Sequence, residues 1–216
     1  MGSSKTISSS DIKRVGLLGL GKMGAPMAGH LHARGFEVLG YDPVKAACDD
    51  AAARGARILP SPRAVAERFY AAFAARDWQT MGALYADEAR FHDPVFLDLD
   101  AEPARAMWRM LLERATDLRI SARVLDVQGE RVEVAWTAHY LFAKTGRRVR
   151  NQVRTHLHLK DGRIVRQVDN FSLWRWSAMA LGPVGWLLGW TIFVRGKIRD
   201  DARAQLTRYR ERLKAS

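Results

Sequence analysis

Three glycines near the N-terminus have the spacing of a phosphate-binding turn. Gly19, Gly21 and Gly24 form a G-x-G-x-x-G motif at the end of an apolar run, and Asp42 follows 21 residues after Gly21. Glycines at these positions permit a tight turn and the close approach of a pyrophosphate to backbone N–H groups. A carboxylate in the place of Asp42 binds ribose hydroxyls and repels a 2′-phosphate, so the motif favours NAD over NADP. The predicted cofactor-binding residues are Gly19, Gly21, Lys22, Met23, Gly24 and Asp42.

Two aspartates further along the chain have the surroundings for acid–base chemistry. Asp169 lies in an alternating apolar segment, and Asp93 lies in the tripeptide His-Asp-Pro. A carboxyl group buried in an apolar wall has a raised pKa and can act as a general acid. We expect Asp169 to be the better catalytic candidate. Asp93 is the second candidate, and its alternative role is to cap the turn before Pro94.

A ligand pocket is predicted inside this second part of the chain. In residues 131–143 and 147–160 apolar and polar side chains alternate, so each segment should turn its apolar face inward. Asn151 and Thr155 are polar residues on that face, where they would either contact a ligand or bond to neighbouring backbone. The predicted pocket residues are Trp108, Trp136, Tyr140, Asn151 and Phe171. Such a pocket would hold a small apolar molecule with one or two polar groups.

The elements around the glycine motif are a strand, a helix and a second strand, over residues 14–20, 23–34 and 37–42. The stretch VGLLGLGKMGAPMAGHLHARGFEVLGYDP resembles the N-terminus of the β-hydroxyacid dehydrogenases, the family of 3-hydroxyisobutyrate and 6-phosphogluconate dehydrogenases. The resemblance covers residues 12–67 and implies a truncated Rossmann βαβαβ unit that binds NAD or NADP. That family also needs a substrate domain with a catalytic lysine, which we do not find in this sequence. A functional dehydrogenase is therefore not expected.

Helices followed by an antiparallel meander are predicted for the rest of the chain. Helices are expected over 62–76, 77–85 and 102–116, and long strands over 118–127, 131–143, 147–160 and 163–174. This order resembles the cone fold of nuclear transport factor 2, which includes SnoaL-like polyketide cyclases, ketosteroid isomerases and limonene epoxide hydrolases. The predicted fold class is an α+β cone, a curved antiparallel sheet with helices, preceded by the truncated α/β Rossmann unit.

This second resemblance implies roles for the two aspartates. Asp93 matches the general base of the ketosteroid isomerases, and Asp169 matches an acid of the epoxide hydrolases and SnoaL-like cyclases. Phe69 and Arg154 occupy the positions of the isomerase oxyanion hole, and Tyr70 should lie on another face of its helix than Phe69. Steroid isomerisation is therefore not expected. Weak isomerase-, cyclase- or hydrolase-like chemistry in the cone stays open.

The end of the chain combines an apolar segment with a basic helix. Residues 176–194 carry no charge, and residues 195–214 are rich in arginine. The tryptophans in or beside the apolar segment are Trp174, Trp176, Trp186 and Trp190. Three interpretations stay open: a cap on the cone or a homodimer interface, an anchor at an anionic membrane surface, and a membrane span.

Charge and cysteine content restrict partners and compartment. The formal net charge is +12, which favours acidic partners. Nucleic acid is not expected, because no base-stacking aromatic residues are interleaved with the basic ones. The single cysteine, Cys48, excludes an intrachain disulfide and favours the cytoplasm, with peripheral membrane attachment as an alternative. No metal site is predicted, since the histidines lack ligand spacing.

The predicted organisation has four parts: a disordered leader (1–11), the Rossmann-like unit (12–61), the cone (62–174) and the tail (175–216). The leading hypothesis for function is a SnoaL-like cone that binds a small apolar ligand. The alternatives are a membrane-surface or protein-interaction module, residual NAD(P) binding without catalysis, and an artificial or accidental fusion with no integrated function.

Overall fold

The computed structural model of the protein describes residues 13–115 and 117–215. The chain divides into two compact units, and the boundary falls between Ser61 and Pro62. The predicted leader, residues 1–11, lies outside the described residues, as does Thr116 at the predicted end of the third cone helix.

The first unit is a small parallel sheet with two helices. Its elements are β1 (Arg14–Leu18), α1 (Gly24–Ala33), β2 (Glu37–Tyr41), α2 (Lys45–Ala53) and β3 (Arg57–Ile58). The strands pair in parallel in the order β1-β2-β3, with a helix as each crossover. Leu20 and Val38 are buried among alanines of both helices, whose small side chains permit close helix–sheet packing. The truncated Rossmann unit predicted from the sequence is confirmed.

Strand β1 lies at one edge of this sheet, with apolar side chains uncovered. In a complete doubly wound sheet the first strand lies between the second and the fourth. Among the described residues β1 pairs with β2 alone, and Leu18 at its end and Met23 just before α1 are 81% and 80% exposed. The unit therefore forms one half of the crevice in which a dinucleotide normally lies.

The second unit packs helices against a six-stranded sheet. Its first elements are α3 (Pro62–Ala74), α4 (Trp78–Leu84), β4 (Tyr85–His92), β5 (Leu99–Asp100), α5 (Ala101–Arg114), β6 (Arg119–Gln128), β7 (Arg131–Phe142), β8 (Arg147–Lys160) and β9 (Arg163–Asn170). The strand order is β5-β4-β9-β8-β7-β6, with β6 to β9 antiparallel and β4 parallel to β9. Register shifts between β6 and β7 and between β8 and β9 bend the sheet. The predicted α+β cone is confirmed.

The side chains of β7 and β8 alternate between two faces as predicted. Trp136 lies opposite Val153, and Ala138 lies opposite Asn151. This face is buried along most of its length, while the arginines and histidines of β8 lie on the exposed face. The two-residue period of a strand is therefore sufficient to identify the interior of the cone.

Aromatic side chains pack against one another in the interior of the cone. Phe73 packs edge-on against Trp108 and Trp136, with ring centroids 5.0 and 5.2 Å apart. Phe69 packs in the same way against Tyr85 at 5.7 Å, and all five rings are buried. Contacts of this geometry contribute about 0.5–1.5 kcal/mol each beyond apolar burial. They fix α3 and α5 against the sheet.

The last strand is shorter than predicted. It ends at Asn170, whereas the alternating pattern predicted a strand as far as Trp174. The Ser172 side chain accepts a hydrogen bond from the backbone N–H of Arg175 and so caps α6 (Leu173–Leu181). A serine N-cap stabilises a helix by about 1 kcal/mol. This cap favours a helix here over the strand that the alternating pattern predicted.

Two more helices complete the tail. They are α7 (Pro183–Leu188) and α8 (Ile192–Lys214). Trp176 of α6 donates a hydrogen bond of 2.7 Å to the hydroxyl of Tyr140, and Leu206 and Tyr209 of α8 are buried in the core of the cone. Among the described residues, no helix is both long and apolar enough to cross a bilayer.

Candidate active site

Asp169 lies on the inner face of β9, opposite Thr155 of β8. Only 3% of Asp169 and 0% of Thr155 are exposed. Thr155 Oγ1 donates a hydrogen bond of 2.7 Å to Asp169 Oδ1, and Gln167 Nε2 donates one of 3.0 Å to the same oxygen. Since both bonds go to Oδ1, Oδ2 is the oxygen on which a proton would sit.

The bonds to this carboxyl group belong to a longer buried network. The Tyr85 hydroxyl donates to Gln167 Oε1 at 2.6 Å and accepts from Trp108 Nε1 at 2.9 Å. On the other side, Trp136 Nε1 donates to Thr155 Oγ1 at 2.8 Å. Leaving one of these buried groups unpaired would cost about 1–3 kcal/mol. The network therefore holds the carboxyl group in one orientation.

The hydroxyl of Tyr70 lies in the same buried region and has no hydrogen-bond partner of good geometry among the described residues, although Thr155 and Trp136 are close enough to lower its pKa in part. Burial raises the pKa of Tyr70 well above its usual value of 10.0, and the negative charge of Asp169 raises it further. The hydroxyl therefore keeps its proton at neutral pH and is an unused hydrogen-bond donor close to the carboxyl group.

Tyr70 was expected on another face of its helix than Phe69, yet the side chains of both residues are buried. Helix α3 buries six side chains across a wide face, and both Phe69 and Tyr70 are among them. The reason is that α3 packs in the concavity of the sheet, where more than one stripe of the helix is covered.

Burial raises the pKa of Asp169 from its usual 3.8 to about 7. Loss of hydration is the main cause, and the charge of Asp93 adds to it, while the bonds from Thr155 and Gln167 act in the opposite direction by stabilising the charged form. A carboxyl group with this pKa is present in both protonation states at neutral pH. This is the condition under which a general acid or base works best.

Asp93 holds a turn and also has a raised pKa. Its Oδ1 accepts hydrogen bonds from the backbone N–H groups of Val95, at 2.7 Å, and of Phe96. Burial raises the pKa of Asp93 to about 6, although these two bonds favour the charged form. The bonds are those of an Asx turn. A catalytic role for Asp93 stays a prediction.

The predicted pocket residues fall into two sets. Trp108 and Trp136 are buried in the aromatic core and hydrogen-bonded there, whereas Tyr140, Asn151 and Phe171 are half-buried. Cavities of about 470 and 210 Å³ are lined by other residues, the larger by one face of α1 and the smaller by parts of β4 and β9. The pocket therefore stays a prediction.

Gln167 and Tyr85 belong to the site but were not predicted from the sequence. Gln167 precedes Asp169 by two residues, so the alternation that placed Asp169 inside the cone could also have placed Gln167 there. Tyr85 was assigned to the end of a helix, whereas it begins β4. Its bond to Gln167 joins residues 82 positions apart, and no local pattern indicates such a pair.

In the first unit, the glycine turn is tight at Gly19 and Gly24, while the space beside Gly21 is empty. Gly19 has a φ of 86°, a conformation that favours glycine. A Cβ atom on Gly24 would lie 2.0 Å from the Gly19 carbonyl oxygen, whereas one on Gly21 would meet nothing within 4 Å. The backbone N–H groups of Gly21, Lys22 and Met23 have no acceptor among the described residues. The turn therefore fits a phosphate group.

Asp42 stabilises this turn. Its Oδ2 accepts from the Leu20 N–H and its Oδ1 from the Val44 N–H, both at 2.7 Å. A carboxylate has about four lone-pair sites, so capacity remains for ribose hydroxyls. The role of Asp42 in the choice between NAD and NADP stays a prediction, and its structural role was not foreseen.

Two family models match the chain, one for each unit. Residues 66–167 match the SnoaL-like domain family. Residues 14–76 match the NAD binding domain of 6-phosphogluconate dehydrogenase. Each match covers less than half of the chain, and the two fall in the same two regions as the two sequence resemblances. The matches overlap in residues 66–76, so α3 is compatible with both families.

Individual relatives of the first unit are similar over a short stretch. Over 54 residues the chain is 48% identical to proteins named probable 3-hydroxyisobutyrate dehydrogenase from Mycobacterium tuberculosis and Mycobacterium bovis. The stretch is 24% of this chain and 18% of each dehydrogenase. The chain therefore spans less than one fifth of the length of these relatives.

Solved structures similar to the chain cover the second unit. A candidate polyketide cyclase from Pseudomonas putida KT2440 aligns with a TM-score of 0.50 at 18% identity, over 56% of this chain and 98% of the cyclase. An LEH-like epoxide hydrolase from Mycobacterium tuberculosis aligns with a TM-score of 0.47 at 19% identity, over 59% and 96%. A Catenulispora acidiphila protein with a ketosteroid isomerase-like fold, solved with trimethylamine, aligns with a TM-score of 0.49 at 14% identity, over 56% and 95%. The alignment with the Pseudomonas putida cyclase supports the cone fold.

Proposed function

We propose that the cone binds a small, mostly apolar molecule at Asp169 and transfers a proton to or from it. The observation that carries this proposal is a carboxyl group with a pKa of about 7 and an unpaired tyrosine hydroxyl in one buried region. A purely structural core gains nothing from either group, because a buried charge and an unpaired hydroxyl both destabilise the fold. Perturbed acids in apolar surroundings are typical of functional sites.

The two side chains define the polar part of the ligand. The Tyr70 hydroxyl can donate one hydrogen bond to a ligand oxygen, and protonated Asp169 can donate a second from Oδ2. Two donors on one oxygen would stabilise negative charge that develops on a carbonyl. The neighbouring aromatic rings of Phe73, Trp108 and Trp136 require the rest of the molecule to be apolar. A cyclic ketone or an aromatic alcohol meets both requirements.

The half-buried residues mark the side from which such a ligand would enter. Phe171 comes directly after the end of β9, is half-buried and packs against the core of the cone. Asn151 shares the face of Thr155, about 13 Å away along β8 at about 3.3 Å per residue. Tyr140 lies nearby in the same sheet and is bonded to Trp176 of the tail. The proposed path therefore runs past Phe171 and Asn151 to the carboxyl group.

Calorimetric titration with 2-naphthol and with cyclohexenone tests this function. We expect binding at about pH 6 that Tyr70→Phe weakens by roughly tenfold, the value of one hydrogen bond. Tyr41→Phe, in the first unit, is the matched control and should leave the affinity unchanged. If Tyr70→Phe bound each of these probes as tightly as the unchanged protein does, the ligand would not contact the Tyr70 hydroxyl, and this placement would be refuted.

We also propose that the first unit binds the phosphate groups of a dinucleotide, without hydride transfer. The free N–H groups of Gly21, Lys22 and Met23 support this second function. Titration with NAD and NADP should show weak binding that Gly21→Ala abolishes, because a methyl group would occupy the space for the phosphate. Gly16→Ala is the control, since its Cβ also meets nothing within 4 Å but lies away from the turn. Unchanged binding by Gly21→Ala would contradict the proposal.

A further inference from the structure

A group of large apolar side chains is exposed on the tail. Eight of them, between 40% and 89% exposed, form what we call the tail patch. Its residues are Trp174, Val184, Trp186, Leu187, Leu188, Trp190, Ile192 and Phe193. Single exposed apolar residues are ordinary, but a contiguous set of this size is typical of an interaction surface.

The tail patch has a rigid support. Ser177 Oγ donates to the carbonyl oxygen of Trp174, at 2.9 Å, and lies 3.3 Å from that of Gly185. A Cβ atom on Gly185 would lie 1.9 Å from the Ser177 carbonyl oxygen, and one on Gly189 would lie 2.0 Å from Ser177 Oγ. Helix α7 therefore packs on α6 through glycines, and its large side chains point away from that contact.

Hydrogen bonds also join two tryptophans of the patch to backbone carbonyl oxygens of α7. Trp174 Nε1 donates to the carbonyl oxygen of Trp186 at 3.0 Å, and Trp190 Nε1 donates to that of Leu187 at 2.9 Å. The indole N–H groups are thus satisfied, while the ring faces stay uncovered. These hydrogen bonds to α7 therefore hold the two tryptophan rings in exposed positions.

Basic residues flank the tail patch along the chain. Residues 171–199 contain no acidic side chain, and their basic residues are Arg175, Arg195, Lys197 and Arg199. Arg195 and Lys197 are exposed in the first turns of α8, directly after Phe193. The guanidinium group of Arg147 lies about 3 Å from the position of a Cβ on Gly182, the residue before α7. The next acidic residues along the chain are Asp200 and Asp201, and Asp201 forms an ion pair with Lys144.

We propose that the tail patch docks the protein on an anionic lipid bilayer, with α7 in the interface between headgroups and acyl chains. Tryptophan prefers this depth, and a basic rim beside apolar side chains binds an anionic surface. A second copy of the chain fits less well, because it would bring one basic rim against another, on a chain of net charge +12. The proposal does not depend on a ligand at Asp169.

Flotation of the full chain with lipid vesicles tests the proposal. The protein should float with vesicles that contain roughly one third phosphatidylglycerol, and at least about tenfold less with pure phosphatidylcholine or at high salt. Ile192→Ser with Phe193→Ser should lower binding by about tenfold or more, because two large apolar side chains no longer enter the interface. Both positions are exposed, so the fold should be kept, which far-UV circular dichroism checks.

The matched control is Leu18→Ser with Met23→Ser, which removes two equally exposed apolar residues from the first unit. This control should bind vesicles as well as the unchanged protein. No flotation at low salt, or an equal loss in the control, would overturn the proposal. A dimer in sedimentation velocity that the Ile192 and Phe193 changes dissociate, without vesicle binding, would also overturn it and assign the patch to a second copy.

Discussion

The hydroxyl of Thr155 donates to Asp169 across the β8–β9 pair, at 2.7 Å, and accepts the indole N–H of Trp136 at 2.8 Å. A hydroxyl has one proton, so the indole bond directs that proton toward the carboxyl group. The bond stabilises charged Asp169, and burial destabilises it more strongly. A register shift of one residue would turn Asp169 to the outer face. The site therefore depends on the register of this strand pair.

Asp169→Asn should remove a pH dependence from the stability of the protein. Between pH 3.8 and about 7 the folded state keeps a proton on Asp169 that the unfolded state releases. The free energy of unfolding should thus fall as pH rises through this window, by at most about 4 kcal/mol at about 1.4 kcal/mol per pH unit. Asn stays neutral, so the variant should be more stable than the unchanged protein above about pH 7. Denaturant unfolding on both sides of the window measures this.

The control for this experiment is Asp87→Asn, whose carboxyl group is largely exposed. It should unfold with the pH profile of the unchanged protein. Asp93, with its pKa raised to about 6, contributes in the same direction, so Asp169→Asn should reduce the slope without abolishing it. Identical slopes in the Asp169 variant and the unchanged protein would show that Asp169 titrates normally.

Tyr85→Phe should destabilise the fold, whereas Tyr70→Phe should not. The Tyr70 hydroxyl is buried without a partner among the described residues, so its removal should be neutral or stabilise the fold by up to about 1 kcal/mol. The Tyr85 hydroxyl bonds to Gln167 and Trp108, and its removal leaves both buried groups short of a partner. We expect a loss of about 1–3 kcal/mol. Chemical denaturation of the two variants measures the difference, and a larger loss for Tyr70→Phe would contradict the assignment of its hydroxyl as unpaired.

Gly24→Ala and Gly21→Ala separate the packing of the glycine turn from its binding role. A Cβ on Gly24 would lie 2.0 Å from the backbone oxygen of Gly19, so α1 must move, at a cost of about 2–3 kcal/mol. A Cβ on Gly21 meets nothing, and that variant should unfold like the unchanged protein. Limited proteolysis should therefore cut the first unit faster in Gly24→Ala alone. Equal sensitivity of the two variants would show that the turn is not packed in this way.

The sequence predicted the elements whose signals are local. The two-residue period identified the inner face that carries Asp169, Thr155 and Asn151, and the spacing of Gly19 and Gly24 identified the turn before α1. The Ser172 cap was also a local signal, but the apolar alternation around it suggested a longer strand. In each case a few neighbouring side chains determine the backbone conformation.

The parts of the site that depend on distant residues could not be predicted. Gln167 meets Tyr85 only because β4 runs beside β9, a pairing between strands far apart in sequence. Tyr70 approaches Asp169 only because α3 lies within the curve of the sheet. Asp42 has the residue type of a ribose ligand, yet its bonds to Leu20 and Val44 also make it part of the turn. A single sequence shows which residues are suited to such roles, while their contacts come from the tertiary fold.

We propose above all that Asp169 is a buried acid that exchanges its proton near neutral pH. NMR titration of the side-chain carboxyl carbons in ¹³C-aspartate-labelled protein tests it directly, with Asp169→Asn to assign the signal. We predict a midpoint of about 7 for Asp169. A midpoint near the usual 3.8 would show that the carboxyl group is charged and hydrated at neutral pH, and would contradict proton transfer at this site.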